Sequence, residues 1–301
     1  MLLCPIWSIA QQDSHFSQGV FNLGYINPGS YGFDDENLFS ATVVNRIQTQ
    51  NFDGSPVTTI LNINGGLNFI NSGINISVFN DQIGYLQTPG FNLGYSYIFK
   101  LPQGKLGVGV SLGMINSKYD QSDWRLPDGS SGDIAIPAGD INTTSFDAGL
   151  GVYYSNEKFF TGLSCAHINK AAITKSSEKT SFGRTLYIIA GYRYIFGFTD
   201  NLELRPSLQV NTDFGVGKYT VNAHLFYNKK YWFGLSYRLN EAAVLTLGLE
   251  LMKNLRIGYS YDYFTTQIQK YGGGAHEFLV NYRFSITTEK RNNQRKSIRY
   301  L

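Results

Sequence analysis

Leu255-Arg256-Ile257-Gly258-Tyr259-Ser260-Tyr261-Asp262-Tyr263 is the stretch whose reading decides the fold. Every odd position is apolar or aromatic, and every even one is small or charged. Successive residues of a strand point to opposite faces, so one face here is wholly apolar and the other polar. The same reading holds for Tyr231, Phe233, Leu235, Tyr237 and Leu239 against Trp232, Gly234, Ser236 and Arg238. It holds for Leu245, Leu247, Leu249 and Leu251, and for Phe91, Leu93, Tyr95, Tyr97 and Phe99. Stretches 106–114, 146–154, 186–196 and 278–284 behave alike. A soluble sandwich also alternates, but it covers its apolar faces with a second sheet. Here nearly all strands carry one pattern, and their other face is Gly, Ser, Asn and charge. That distribution suits lipid outside and a polar lumen inside. The expected fold is therefore all-β, an antiparallel transmembrane outer-membrane β-barrel. Arg is expected to be costly at outward Tyr259 or Leu247 and much milder at inward Ser260 or Thr246.

Composition agrees. Of 301 residues only 16% are charged while 15% are aromatic, with 21 Tyr, 21 Phe, 32 Gly and 8 Pro. Mean hydropathy is −0.18. No stretch reaches the roughly 18 apolar residues of a membrane helix, whereas a barrel hides its hydrophobicity by alternation.

About fourteen strands are expected, near 37–50, 56–68, 72–80, 89–100, 105–118, 144–155, 158–169, 185–196, 202–213, 219–228, 231–239, 243–251, 255–263 and 276–284. The connections alternate in length. Short ones surround Asn71, Pro102, Asn156, Asp200, Lys229 and Lys253. The other set includes Asp81–Thr88, Tyr119–Thr143, Lys170–Arg184, Phe214–Lys218 and Phe264–Ala275, with Asn240–Ala242 a short exception. Bacterial barrels have short periplasmic turns, longer outer loops and an even strand number. Both chain ends are then expected in the periplasm.

Three segments stand outside the wall, which spans 37–284. Residues 1–10 read as the end of a signal peptide, with apolar Leu2, Leu3, Ile6, Trp7 and Ile9 before a small-x-small site at Ser8-Ile9-Ala10. The first basic residue is Arg46, so the missing basic n-region predicts a start upstream of Met1. Cleavage would remove Cys4 and leave Cys165 alone, with no internal disulfide or thiolate metal cluster. Residues 11–36, rich in Gln, Asn, Gly and aromatics, lack alternation and are expected as a periplasmic segment or a lumen plug. Residues 285–301 carry Lys290, Arg291, Arg295, Lys296 and Arg299 against Glu289, a net of +4, while the whole chain is +3. Such a tail suits an acidic protein surface, anionic lipid heads or peptidoglycan-associated partners, or is a solvated end.

By parity Arg193, Arg238, Glu250, Arg256, Asp262, Glu277 and Arg283 point inward. Glu250 and Arg256 flank a tight turn at Met252–Asn254 and should face each other as a favourable cross-strand pair. This charged lining either selects solutes or holds a plug, or it is a salt-bridge network bracing the wall. No catalytic, cofactor or metal site is expected. His15, His167, His224 and His276 lack metal-type spacing. His224, on a lumen-facing position, is the one candidate for a hydrolase site; as a bland wall residue it would be hydrogen-bonded. Gly107-Val108-Gly109 and Gly272-Gly273-Gly274 precede no helix and are not nucleotide loops.

Gln11-Gln12-Asp13-Ser14-His15-Phe16-Ser17-Gln18, Phe21-Asn22 and Tyr25-Ile26-Asn27-Pro28-Gly29 resemble the N-terminal signature of the PorP/SprF family, type IX secretion system membrane proteins of Bacteroidetes. Asn80-Asp81-Gln82-Ile83-Gly84, residues 146–154, Gly162-Leu163-Ser164, Arg205-Pro206-Ser207, residues 232–238 and 258–263, His276-Glu277 and Tyr282-Arg283-Phe284 fit as well. Asn22-Leu23 and Pro28-Gly29 stand where the family usually has Asn-Pro and Pro-Ala. The resemblance implies a non-enzymatic outer-membrane component that supports secretion or surface anchoring of proteins such as gliding adhesins. Its implied partners are outer-membrane lipid, periplasmic ring or motor subunits and a secreted surface client, with no nucleic acid and no cofactor. The alternative is a passive porin or small-solute channel, and a third reading is an outer-membrane hydrolase dependent on His224.

Overall fold

The computed structural model describes residues 14–33, 38–49, 54–119, 141–171, 181–196, 201–213, 215–270 and 272–286. The expected signal segment 1–10 and the basic residues Lys290, Arg291, Arg295, Lys296 and Arg299 lie outside them.

Fourteen antiparallel strands form one closed barrel. In chain order they are β1 Leu38–Gln48, β2 Val57–Leu67, β3 Ser72–Ile83, β4 Leu86–Leu101, β5 Gly104–Tyr119, β6 Ile141–Ser155 and β7 Phe159–Ala166. Then come β8 Thr185–Tyr192 continued by Tyr194–Ile195, β9 Leu202–Thr212, β10 Gly217–Tyr227, β11 Tyr231–Arg238, β12 Ala242–Met252, β13 Leu255–Phe264 and β14 Ala275–Ser285. The two pieces of β8 flank Arg193 and pair with the same neighbour, β9. Each strand pairs with the next, and β14 returns to β1 in register from Ser285↔Leu38 to Ala275↔Gln48. Closure gives every strand a neighbour on both sides, so the sheet has no free edge strand to set against hydrocarbon.

The two faces separate as the alternation predicts. On β11 exposure alternates at every residue: Tyr231, Phe233, Leu235 and Tyr237 lie outside, Trp232, Gly234, Ser236 and Arg238 inside. Outward residues elsewhere, among them Leu93, Val110, Leu150, Leu163, Leu247 and Phe278, are exposed and apolar. Outward Tyr97, Phe99, Tyr192, Tyr194, Tyr231 and Tyr282 gather where the strands meet their short turns, as an aromatic girdle at a membrane interface does.

One barrel end, the turn end, carries the connections at 68–71, 102–103, 156–158, 228–230 and 253–254. The starts of β1 and the finish of β14 lie there too. The opposite, loop end carries those at 49–56, 167–184 and 265–274. The expected loop Asp81–Thr88 is not a loop. β3 and β4 run through it in register, Asp81↔Thr88 and Gln82↔Gln87, and only Gly84 and Tyr85 turn. Gly84 adopts a φ of 58° there, the left-handed region that glycine enters at no steric cost. Polar Asn80, Asp81, Gln82 and Gln87 break the apolar alternation, yet ladder hydrogen bonds need no apolar face beyond the lipid.

A second correction concerns the inner face. Thr246 and Ser260 are wholly buried, so Arg at either position would meet a filled space, not an open aqueous lumen.

Candidate functional site

The lumen is filled by the chain's own N-terminal segment. Residues 14–33 carry no period-two pattern and build no strand. They form a turn of 3-10 helix at Gly19–Phe21, one α-turn at Leu23–Ile26 and a further 3-10 turn at Pro28–Ser30. The last turn is set locally: the Asn27 side chain accepts a hydrogen bond from the Gly29 amide at 2.8 Å, and Pro28 holds the first helical position.

The segment crosses the barrel lengthwise. Ser14 lies at the loop end, its hydroxyl donating to Asp81 at 3.0 Å near the tip of the β3–β4 hairpin. Tyr31 lies toward the turn end, its carbonyl accepting from the Ser96 hydroxyl at 2.8 Å. Ser14 and Leu38 are thus at opposite ends of the barrel. Of the segment expected as periplasmic or as a lumen plug, the described residues lie within the lumen.

Small wall residues make room for this path. A Cβ on Gly107 would stand 2.0 Å from the Gly29 carbonyl oxygen, and one on Gly109 2.2 Å from that of Pro28. The inward glycine row is the seat of the plug. Elsewhere the wall turns apolar to receive it. Phe16 packs on Val44, Ile60 and Leu279. Phe21 meets Trp232 at 5.2 Å and His224 at 5.4 Å between ring centroids.

Toward the loop end the plug is clamped by buried charges. Arg46 reaches Asp262 at 2.7 Å and Glu277 at 3.1 Å. Arg238 reaches Asp262 at 3.3 Å and Glu241 at 2.9 Å. The Asp262 and Glu277 carboxylates are fully buried. The Ser17 hydroxyl donates to Asp262 at 2.6 Å, and the Ser17 and Gln18 amides donate to the two Glu277 oxygens at 2.8 Å each. Charge-assisted bonds of this kind are roughly twice as strong as neutral ones. Their grip is conditional, because removing one partner strands a buried charge at a cost of about 3–5 kcal/mol.

The seven inward charges expected from parity therefore form no single network. Arg238, Asp262 and Glu277 join the clamp. Glu250, Arg256 and Arg283 form a second cluster at the turn end, where Glu250 accepts from Arg256 at 3.1 Å and from Arg283 at 2.9 Å. Glu250 and Arg256 face each other across the β12–β13 turn, as expected. Arg193 lines the same turn-end cavity as Arg205, Arg256 and Arg283. Sequence reasoning missed Arg46, because β1 carries Val43 and Val44 on opposite faces and shows no clean alternation. It missed Ser17, Gln18 and His15 because a segment without period gives no parity to read.

His224 is almost wholly buried against Phe21, and neither ring nitrogen has a hydrogen-bond partner among the described residues. The expected hydrogen-bonded wall residue is thus a packed one. Among the described residues it has no carboxylate bonded to it of the kind that orients a catalytic imidazole.

Comparison with known proteins agrees with the barrel. The chain is similar to the toluene transporter TbuX of Ralstonia pickettii, at 12% identity and a TM-score of 0.51, over 86% of this chain and 92% of that one. It is similar to the CymD monoaromatic hydrocarbon channel, at 11% identity and a TM-score of 0.51, over 91% of this chain and 94% of that one. At such identities the likeness carries the fold alone. No curated protein matches. The family model described as type IX secretion system membrane protein PorP/SprF matches residues 8–282, from ahead of the plug to the last strand. The chain is an outer-membrane β-barrel that belongs to the PorP/SprF family of type IX secretion system membrane proteins.

Proposed function

We propose that this barrel acts without catalysis, as a docking component that supports secretion or surface anchoring of proteins such as gliding adhesins. In this reading it binds the secreted client and periplasmic ring or motor subunits, and it does not conduct solutes passively. The observation that carries the reading is the filled lumen: residues 14–33 run through it and are clamped by Asp262 and Glu277. A passive channel gains nothing from a bore closed by its own chain, whereas a docking component needs a stable wall and exposed ends. Membership of the family supplies the secretion context.

Short turns face the periplasm in bacterial barrels. The turn end, where β14 finishes at Ser285, is then the periplasmic end, and the basic residues Lys290, Arg291, Arg295, Lys296 and Arg299 follow from it. A ring subunit with an acidic surface is the partner such a tail fits. A chain ending after Phe284 should still assemble as a heat-modifiable barrel, but lose capture of periplasmic subunits in co-purification from native membranes and lose secretion of its client. Unchanged secretion by that chain would remove the tail from the account.

A further inference from the structure

Between the plug and the wall at the turn end lies a cavity of about 300 Å³. Four guanidinium side chains line it: Arg193, Arg205, Arg256 and Arg283. No carboxylate does so among the described residues. Two acids stand behind the arginines. Glu250 holds Arg256 and Arg283, and Glu203 holds Arg205 at 2.6 Å. Among the described residues the cluster thus has four positive charges against two negative ones. Arg205 is further fixed over the Phe226 ring, at 4.1 Å from its centroid.

The donors on this lining that lack a partner among the described residues include the Arg193 Nε and the indole N–H of Trp232. Trp232 is 96% buried, so its N–H is not satisfied by bulk water. A buried donor without a partner is costly, as is a surplus of like charge away from water. The residues are placed for access even so. Arg256 is the second residue of β13, Trp232 the second of β11, and Arg283 lies two residues from the end of β14. The Arg205 and Arg256 side chains remain about a third exposed.

We propose that this turn-end vestibule is a binding site for a ligand that presents closely spaced carboxylates on a short carbon frame. Guanidinium groups take carboxylates bidentately and in plane. The apolar rings of Phe21 and Trp232 on the same lining suit the hydrocarbon between the acids, which a bare phosphate lacks. The site sits at the opposite end of the lumen from the Asp262–Glu277 clamp and is independent of the secretion reading. A free dicarboxylate and an acidic peptide segment offer the same chemistry.

The test uses the full chain purified in detergent, with calorimetry and Trp232 fluorescence as readouts. The probes are glutarate, a capped tetraglutamate peptide, a capped tetraglutamine peptide and inorganic phosphate. Glutarate or tetraglutamate should bind and tetraglutamine should not, and added salt should weaken the affinity. Whichever acid binds more tightly identifies the source. Arg193→Gln, which breaks no ion pair among the described residues, should weaken binding at least tenfold while heat-modifiable migration is unchanged. Arg283→Gln, which leaves Glu250 with Arg256, should do the same. Replacing the five tail cations by Gln should leave binding intact. Absence of acid binding, equal binding of tetraglutamine, or an affinity that follows the tail and ignores Arg193 would overturn the proposal. Phosphate bound as tightly as the acids would overturn its organic character.

Discussion

At the scale of single residues, the turn-end cluster makes an asymmetric claim. Glu250 serves two arginines, so Glu250→Ala removes the carboxylate that Arg256 and Arg283 share. Arg256→Ala leaves Glu250 still held by Arg283. The first should cost about 2–3 kcal/mol and the second about 1 kcal/mol or less, since Arg256 is the more exposed partner. Urea unfolding from lipid vesicles measures both. Equal costs would show a simple pair, which is all that the cross-strand spacing in the sequence implied. His15 makes a second claim. Burial, and then the positive charges of Arg238, Lys218 and Arg46, hold its pKa well below 6.5. Its Nδ1 accepts from the Asn211 amide at 2.8 Å, as a neutral ring does. A base with a lowered pKa contributes docking energy in full above 6.5 and loses it as pH falls below that value. Proteolysis of the plug segment should therefore quicken between about pH 7 and 5, and His15→Gln should flatten that dependence. A plug equally protected at both pH values would contradict the assignment.

At the scale of elements, the strands were legible wherever an apolar face and a Gly-, Ser- or charge-bearing face alternated without interruption. β11 and β13 are the cleanest cases, and their outward aromatics lie where the alternation put them. The β3–β4 hairpin was misread because its outer reach carries polar residues on both faces. Lipid contact writes the period into a sequence, and a strand that rises past the lipid keeps its ladder without it. The inner face was misjudged for a related reason: alternation distinguishes two faces but not whether the polar one meets water or protein. The consequence is measurable on β12. Leu247→Arg should cost about 2–4 kcal/mol near the membrane midplane. Thr246→Arg should also be expensive, at about 1–3 kcal/mol or more, because it overfills a packed interior. A Thr246→Arg cost near zero would mean an open lumen and would restore the sequence expectation.

At the scale of the whole molecule, the barrel behaves as a wall built around a core that is not a sheet. The plug supplies Phe16 and Phe21 to apolar patches, its Ser17 and Gln18 amides to a buried carboxylate, and its backbone to a row of glycines. The sequence showed no alternation in residues 11–36 and charges on inward positions. It did not show that one holds the other, because the clamp draws on β1, β11, β13 and β14 at once, residues brought together only by closure of the sheet. The inward glycines were visible too, but a glycine row reads the same whether water or backbone lies against it. The central claim is that residues 14–33 close the lumen. Single-channel recording in planar bilayers tests it most directly, comparing the intact chain with one lacking residues 14–33. The intact barrel should be electrically silent and the deletion should open a steady conductance. A steady conductance of equal size in both would contradict the account and return the barrel to the passive channels.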